Sequence, residues 1–285
     1  MKNAIEKLMD AVQEKDSRIV AGLDPKQNII PNCKDLGRKE LLHYCREYIR
    51  AVKEDAAAIK INSAFFETLR AEMQYLDVAQ IAHDEGLFVI GDVKRADIGS
   101  TSEAYAKAFL GEDSPFDAIT VNPYFGTDGV QPFIDLAVKN NKAIFILVKT
   151  SNKSSEEIQD LELKDGIKVY HKVAELVNQW GTQTTLNKYG YNCVGAVVGA
   201  THPNQAKELR NLMPNTFFLV PGYGEQGATA KDVAVNFKDG KGAIINSSRG
   251  LMAAYKKDEY KDCYWYDATR LALKKAKEEI NLYCK

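Results

Sequence analysis

The chain has 285 residues, of which 45% are hydrophobic and 27% are charged, as is typical of a soluble globular protein with enough apolar material for a sizeable core. Its formal net charge of −1 at pH 7 argues against a broad surface for nucleic acid or for a membrane. The five cysteines are odd in number and form no CxxC pair, and the four histidines lie far apart, so we expect reduced thiols in a cytoplasmic protein without a structural metal.

The amino-terminal residues 1–18 place apolar side chains at helical spacing between charged ones, which is typical of an amphipathic helix. This stretch lacks the apolar core of a signal peptide. No later apolar run reaches the length that spans a membrane. We therefore expect neither a targeting peptide nor a transmembrane segment.

Eight short apolar runs then follow in chain order, each separated from the next by a polar loop and a helical stretch. The runs are residues 18–24, 56–62, 87–94, 118–124, 143–150, 193–200, 217–222 and 242–248. Continuous apolar runs indicate strands that are buried on both faces, as in a parallel sheet. Apolar side chains at helical spacing predict helices over residues 39–51, 64–84, 129–138, 166–180 and 203–212.

Eight strand–helix units in a chain of this length favour one (β/α)8 barrel over a doubly wound sheet. With no internal repeat or low-complexity linker, residues 1–285 are predicted to form a single catalytic domain. The longer loops at residues 26–37, 152–165 and 182–191 are interpreted as insertions, and the loop at 152–165 has no function that its residues indicate.

Polar residues gather where the predicted strands end, whereas the starts of the same strands are bland. They are Asp24, Lys60, Asn62, Asp92, Lys94, Asn122, Lys149, Thr150, Ser151, Asn246, Ser247, Ser248 and Arg249. Catalytic groups of such barrels lie at the carboxyl ends of the strands, so this one-sided polarity predicts an enzyme.

The densest charge lies at the end of the third run, where Asp92, Lys94 and Asp97 follow one another. Side chains alternate along a strand, so Asp92 and Lys94 are predicted to point the same way. Taken alone, these residues could form ordinary ion pairs on a solvated loop. Lys60, at the end of the neighbouring strand, favours a desolvated array of four alternating charges that titrate as a coupled set.

A glycine-rich loop, PGYGEQG at residues 221–227, follows the seventh strand and matches GxGxxG. A dinucleotide fingerprint would need an acidic residue about 20 positions later, and none ends a second strand there. Loops after strands seven and eight of such barrels often bind phosphate through backbone N–H groups. Arg249, just after strand eight, is placed to add a charged fork, although the glycines could also simply form turns.

Six segments in this order resemble the orotidine 5′-phosphate decarboxylase family, most of all its longer subgroup. They are GLDP at residue 22, IKIN at 59, DVKRADIGST at 92, VNPYFGTDG at 121, LVPGYGEQG at 219 and NSSRG at 246. The resemblance covers nearly the whole chain. It implies removal of CO2 from orotidine 5′-monophosphate to give UMP, the last step of de novo UMP synthesis, with no metal or organic cofactor.

The resemblance also implies a role for each matching residue. Lys94 would stabilise a vinyl carbanion and protonate it, Asp92 would lie against the departing carboxylate, and Lys60 would orient Asp92 and contact the ribose. Asp97 and Thr101 would reach the neighbouring subunit's site, which implies a homodimer. The other implied contacts are Asp24 and Asn62 with the ribose, Ser151 with the pyrimidine, and Gly222, Tyr223, Gln226 and Arg249 with the phosphate.

Several alternatives stay open. Thr150 is adjacent to Ser151 and could contact the pyrimidine instead. A sister activity of the same scaffold, such as 3-hexulose-6-phosphate synthase, would use magnesium and an enediolate, although the KRADIGST run and Asn62 disfavour it. A nucleotide-binding regulator without catalysis is disfavoured because all four charges are present. A Schiff-base aldolase acting through Lys60 is disfavoured because Asp92 would keep that lysine protonated.

Overall fold

The computed structural model describes residues 2–224 and 226–284. Eight parallel strands close into a barrel in which each strand pairs with the next along the chain and the last pairs with the first. The strands are β1 (Ile19–Leu23), β2 (Ala58–Asn62), β3 (Phe88–Arg95), β4 (Ala118–Val121), β5 (Ala143–Lys149), β6 (Val194–Val198), β7 (Phe218–Pro221) and β8 (Ala243–Ser247). The predicted (β/α)8 barrel is confirmed.

Helices occupy the segments between the strands and surround the barrel. In the described residues they are α1 (Ala4–Glu14), α2 (Arg38–Val52), α3 (Ala64–Glu67), α4 (Glu72–Asp84), α5 (Gly99–Leu110), α6 (Gly126–Lys139), α7 (Glu156–Gln159), α8 (Val169–Thr182), α9 (Pro203–Leu212), α10 (Ala230–Ala234), α11 (Arg249–Met252) and α12 (Trp265–Asn281). No helix of the described chain is long and apolar enough to cross a membrane.

Most predicted helices are confirmed, with two differences that have local backbone causes. The helix predicted over 64–84 is two helices, because Arg70 adopts a left-handed φ of 50° between α3 and α4. The stretch predicted from residue 166 becomes helical only at Val169, because Gly166 has a φ of 82° in the preceding turn. Helices α5 and α12 were not expected from the sequence.

Local features explain where helix α1 begins and how the strands pack. The side chain of Asn3 accepts a hydrogen bond of 2.9 Å from the backbone N–H of Glu6 and thereby caps α1. All five residues of β1 and of β6 are buried, as expected for strands with the barrel interior on one side and helices on the other. At Gly195, a β-carbon would lie 2.5 Å from the ring of Phe145, so glycine is needed for close packing there.

The predicted insertions lie outside the barrel strands. The segment at 152–165 is not featureless, because it contains a single 3₁₀ turn over Lys153–Ser155, followed by α7 and a hairpin-like bridge between Glu162 and Lys168. This segment follows β5 directly, at the end of the barrel where the polar residues gather.

Candidate active site

The centre of the site is one carboxylate held between two ammonium groups. The register of β2 against β3 sets Asn62 opposite Asp92, so Lys60 and Asp92 extend into the same mouth of the barrel. Lys60 Nζ lies 2.5 Å from Asp92 Oδ2, and both side chains are only 7% exposed. Lys94 Nζ lies 2.5 Å from Asp92 Oδ1, but the Lys94 side chain is 48% exposed.

Lys94 reaches Asp92 by a less regular path than strand alternation predicts. Its φ is 43°, and the pairing of β3 with β4 shifts register between Gly91 and Arg95. The Lys94 N–H donates to Thr120 Oγ1 at 3.0 Å, and the Thr120 hydroxyl donates to Asp92 Oδ1 at 3.0 Å. Thr120 therefore holds both the backbone of Lys94, which has a positive φ, and the carboxylate of Asp92. Backbone conformations of this kind often occur at functional sites.

The charges stabilise one another against desolvation. Burial alone would raise the pKa of Asp92, but the ammonium groups of Lys60 and Lys94 outweigh burial and hold this pKa well below its ordinary value. Burial alone would lower the pKa of Lys60, but Asp92 and Asp24 outweigh it and raise this pKa above its ordinary value. Asp92 is therefore ionised and Lys60 is protonated at neutral pH.

The structure brings together three of the four predicted charges within this chain, and Asp97 is not one of them. The backbone leaves β3 after Arg95 and turns into α5, so Asp97 instead accepts a hydrogen bond of 2.8 Å from the N–H of Ile98. Thr101, one turn later in α5, is exposed. Within one chain the array therefore contains three charges, and four predicted residues do not line the cavity at the carboxyl end of the barrel: Lys94, Asp97, Thr101 and Ser151.

A cavity of about 250 Å³ opens beside this array at the carboxyl end of the barrel. It contains eight of the twelve predicted site residues. Its lining is Asp24, Lys26, Ile29, Lys60, Asn62, Asp92, Pro221, Gly222, Tyr223, Gln226, Asn246, Ser248, Arg249 and Met252. The volume and the mixture of acids, bases and amides suit a small, charged, polar ligand.

The loop after β7 forms one wall of the cavity. One of its residues, Tyr223, directs its hydroxyl to another protein group. Gly222 has a φ of 105°, and a β-carbon there would lie 3.2 Å from Gln226 Oε1 and 3.2 Å from Ser151 Cβ. The Tyr223 hydroxyl donates to Glu279 Oε2 on α12 at 2.8 Å. Burial and this hydrogen bond raise the pKa of Tyr223 well above its usual range. Glu225, within the predicted loop, lies outside the described residues.

After the end of β5, the adjacent residues Thr150 and Ser151 have different neighbours. The Thr150 hydroxyl donates to Asn152 Oδ1 at 2.6 Å and accepts from Gln159 Nε2 at 2.8 Å, so it is turned towards the following loop. Ser151 lies against Gly199 and Gly222 at the barrel mouth, within 3.2 Å of where their β-carbons would be. Ser151 therefore packs against Gly222, which lines the cavity, although neither Ser151 nor Thr150 lines it.

Four polar residues of the site were not assigned from the sequence, and one of them is Lys26, in the loop after β1. Asn246 and Ser248 were noted at the end of the eighth run, but they received no role. Thr120 lies in the middle of the fourth run, and its only signal is a hydroxyl in an otherwise apolar strand. Among the described residues, no three or more His, Cys, Asp or Glu side chains are grouped so that they could share a metal ion.

Comparison with known proteins extends these observations to the whole chain. A model of the orotidine 5′-phosphate decarboxylase / HUMPS family matches residues 17–262. Orotidine 5′-phosphate decarboxylase of Clostridium acetobutylicum is 36% identical over 282 residues, which cover 97% of this chain and 98% of the relative. The enzyme of that name from Caldicellulosiruptor bescii is 39% identical over 306 aligned positions and covers 99% of both chains.

A solved structure agrees with the sequence relatives. The structure of Leishmania donovani OMP decarboxylase matches with a TM-score of 0.77 and 32% identity, and the match covers 99% of this chain and 98% of that one. The match to the family model begins before β1 and ends after β8. The likeness therefore includes every strand that contributes to the cavity.

Proposed function

The chain belongs to the orotidine 5′-phosphate decarboxylase / HUMPS family, and we propose that it converts orotidine 5′-monophosphate to UMP and CO2, the last step of de novo UMP synthesis. The observation that carries the proposal is the Asp92 carboxylate, held at 2.5 Å by both Lys60 and Lys94 beside a polar cavity. The reaction removes one carboxylate group as CO2 and needs one proton at the ring carbon that the CO2 leaves. The array supplies an ionised acid and a proton-bearing base at one point.

We propose one direction for the substrate in the cavity. The phosphate is proposed to lie at the β7 and β8 loops, where Gly222, Gln226 and Arg249 meet, because a planar guanidinium and close backbone approach both suit phosphate. The ribose then lies beside Asp24 and Asn62, which line the wall formed by β1 and β2. These placements put the pyrimidine over the Asp92 array, with Ser151 at its amide edge.

The chemical step is a carbon–carbon bond cleavage followed by a proton transfer. The bond between the ring carbon and its carboxylate breaks, its electron pair stays on the ring carbon as a vinyl carbanion, and CO2 departs. A proton from Lys94 Nζ then forms the new C–H bond, and the lysine regains a proton from solvent. The ammonium stabilises the carbanion more than it stabilises the substrate, which is what lowers a barrier.

Asp92 and Lys60 prepare this step without consuming anything. Asp92, ionised because two ammonium groups hold its pKa low, keeps the Lys94 Nζ directed to one position. Lys60 compensates the charge of Asp92 from the buried side. Since every charge is in place before the substrate arrives, little reorganisation is needed during the reaction. No step is assigned to a metal or an organic cofactor.

We propose that two copies of the chain complete each other's sites, with Asp97 and Thr101 of each reaching into the other. Both residues lie outside their own cavity, and Asp97 adjoins an exposed apolar face. A β-carbon at Gly129 would lie 2.7 Å from Phe125 Cβ and 2.9 Å from the Asp97 carbonyl oxygen, which places the two loops together. Ile98, Phe125 and Tyr124 are 55%, 45% and 84% exposed there, an apolar surface suited to a partner.

The decarboxylation is tested with the pure protein in the presence of a chelator. We expect orotidine 5′-monophosphate to be consumed with release of an equal amount of CO2, at the same rate with and without the chelator. Loss of this activity on chelation would contradict the metal-free reaction. No turnover under either condition would contradict the decarboxylase proposal itself.

The shared site is tested by mixing two inactive variants, Lys94→Ala and Asp97→Ala. In a mixed dimer one site carries both changes and the other carries neither, so random exchange between two-fold dimers is expected to restore about a quarter of the wild-type activity. If mixing restores nothing although the subunits exchange, Asp97 does not act across the interface.

The proposed single catalytic domain over residues 1–285 and the cytoplasmic location stay predictions.

A further inference from the structure

Asn246 is a buried amide that lines the cavity and has no part in the steps of the proposed reaction. It is the fourth residue of β8 and is 8% exposed. Asn246 lines the cavity beside Lys60, whereas the next residue, Ser247, lines a separate depression on the outer side of the strand. Because adjacent residues of a strand face opposite sides, Asn246 faces inwards towards any ligand.

The neighbours of Asn246 hold its amide in one orientation. Asn246 Nδ2 donates to Ser248 Oγ at 3.3 Å. A β-carbon at Gly22 would lie 3.0 Å from Asn246 Oδ1 and 1.9 Å from Ser248 Oγ, so glycine on the adjacent strand β1 is what makes room for both. The glycine of the GLDP segment thus has a physical reason that involves Asn246.

The carbonyl oxygen of this amide is left without a partner. Asn246 Oδ1 is inaccessible to solvent, and no group of the described residues donates a hydrogen bond to it. Asp24 also lines the cavity, and its Oδ1 is likewise buried without a donor among the described residues. A buried acceptor without a donor is unfavourable, and such groups at a cavity commonly await a ligand.

We propose that Asn246 Oδ1 accepts a hydrogen bond from a ribose hydroxyl of the bound nucleotide, which makes Asn246 a substrate-binding residue. This proposal rests on the function proposed above. A phosphate dianion offers only acceptors, so it cannot satisfy a carbonyl oxygen. In the proposed placement the ring N–H of the pyrimidine is directed to Ser151, which follows β5, and β5 is not a neighbour of β8 in the barrel. The ribose hydroxyls are the remaining donors, and Asp24 already places the ribose at this wall.

The test measures binding of UMP, 2′-deoxy-UMP and 3′-deoxy-UMP to wild type and Asn246→Ala by calorimetry. The wild-type preference for UMP over one of the two analogues is expected to fall about tenfold in Asn246→Ala, while the preference over the other analogue is unchanged. Asn246→Asp keeps an acceptor and is expected to keep the preference, even if its added charge weakens all three ligands. Ser247→Ala is the matched control on the outer face and is expected to change neither preference.

Other outcomes overturn the proposal. If Asn246→Ala weakens all three ligands by the same factor, the residue acts through packing, and if it weakens none, the residue does not contact the ligand. Should Asn246→Ala not fold, loss of the preference in a folded Asn246→Asp would contradict the acceptor role. Wild-type turnover of orotidine 5′-monophosphate is measured in parallel. Binding of UMP without turnover defeats the proposed function but still decides the role of Asn246, whereas no UMP binding defeats both.

Discussion

Two lysine–aspartate clusters lie at the same end of this barrel with nearly identical charge-pair distances, and only one faces the cavity. In the first, Asp92 lies 2.5 Å from Lys60 and 2.5 Å from Lys94. In the second, Lys149 Nζ lies 2.6 Å from Asp160 Oδ2, with Lys149 fully buried and Asp160 15% exposed. Distance and charge alone therefore do not distinguish a reactive cluster from a structural one.

The difference lies in what the remaining hydrogen-bonding groups contact. Lys149 also donates to Ser155 Oγ at 3.2 Å, and Asp160 also accepts from Gln205 Nε2 at 2.9 Å. All these partners belong to the protein, so the second cluster joins the segment at 152–165 to β5 and α9. In the first cluster, Lys94 is half exposed and Asp92 borders the cavity. A ligand site therefore needs charged groups whose hydrogen-bonding capacity is not fully used by the protein, and charge alone is not enough.

The sharpest way to break this comparison is Lys94→Ala. We expect turnover to fall by at least about four orders of magnitude, because both the charge facing the carbanion and the proton donor are lost. The melting temperature and the affinity for UMP are expected to change little, since the side chain is half exposed. Lys153→Ala, an exposed lysine on the loop after β5, is the control. Near-normal turnover of Lys94→Ala would disprove the donor role.

The Arg249→Ala variant tests whether Arg249 contributes to substrate binding rather than to the chemical step. Loss of a charged fork to phosphate is expected to raise KM strongly and to lower kcat/KM about a hundredfold, as for about two charge-assisted hydrogen bonds. This loss is smaller than that of Lys94→Ala, because the phosphate is remote from the bond that breaks. Steady-state kinetics of both variants decide the matter, and equal losses would contradict the division of roles.

Lys149→Met tests the structural cluster, and its effect should appear in stability rather than in chemistry. Removal of one partner leaves Asp160 with only its weaker contacts, and we expect the free energy of unfolding to fall by about 2 kcal/mol, less than for a fully buried pair. At a temperature where the variant is folded, kcat should remain close to wild type. Chemical denaturation and kinetics check this, and a large fall in kcat with unchanged stability would place Lys149 in the catalytic machinery.

The smallest expected effect is the acid dependence of the same cluster. Burial opposes the shift, but the hydrogen bond and charge of Lys149, with Lys168, hold the pKa of Asp160 below its ordinary value near 3.8. Because the folded protein binds this proton less readily than the unfolded chain, the stabilisation is complete above that value and is lost as pH falls through the lowered pKa. The stability advantage of wild type over Asp160→Asn should therefore shrink on acidification, and an advantage that grows would contradict the pairing.

The sequence anticipated those parts of the site whose positions follow from local pattern. Lys60, Asp92 and Arg249 end or follow continuous apolar runs, and such runs predict strands with their polar ends at one mouth of the barrel. The lysine at position 149 ends a run in the same way, and nothing in its own segment shows that it will be enclosed by Ser155, Asp160 and Gln205. Enclosure depends on loops whose conformations are set by contacts with distant strands.

The sequence by itself determined the eight-stranded barrel, the pairing of Asp92 with its two lysines, and the two loops, after β7 and β8, that line the cavity. Only the tertiary structure decided that Asp97 lies outside the array within one chain, that Thr120 joins Lys94 to Asp92, that the Tyr223 hydroxyl contacts Glu279, and that Asn246 Oδ1 is buried beside the cavity without a donor among the described residues. The reason is physical: apolar periodicity is a property of one segment and fixes which face of a strand is buried. Beyond the last paired residue alternation ends, and the direction of a side chain depends on register and on neighbours from other strands.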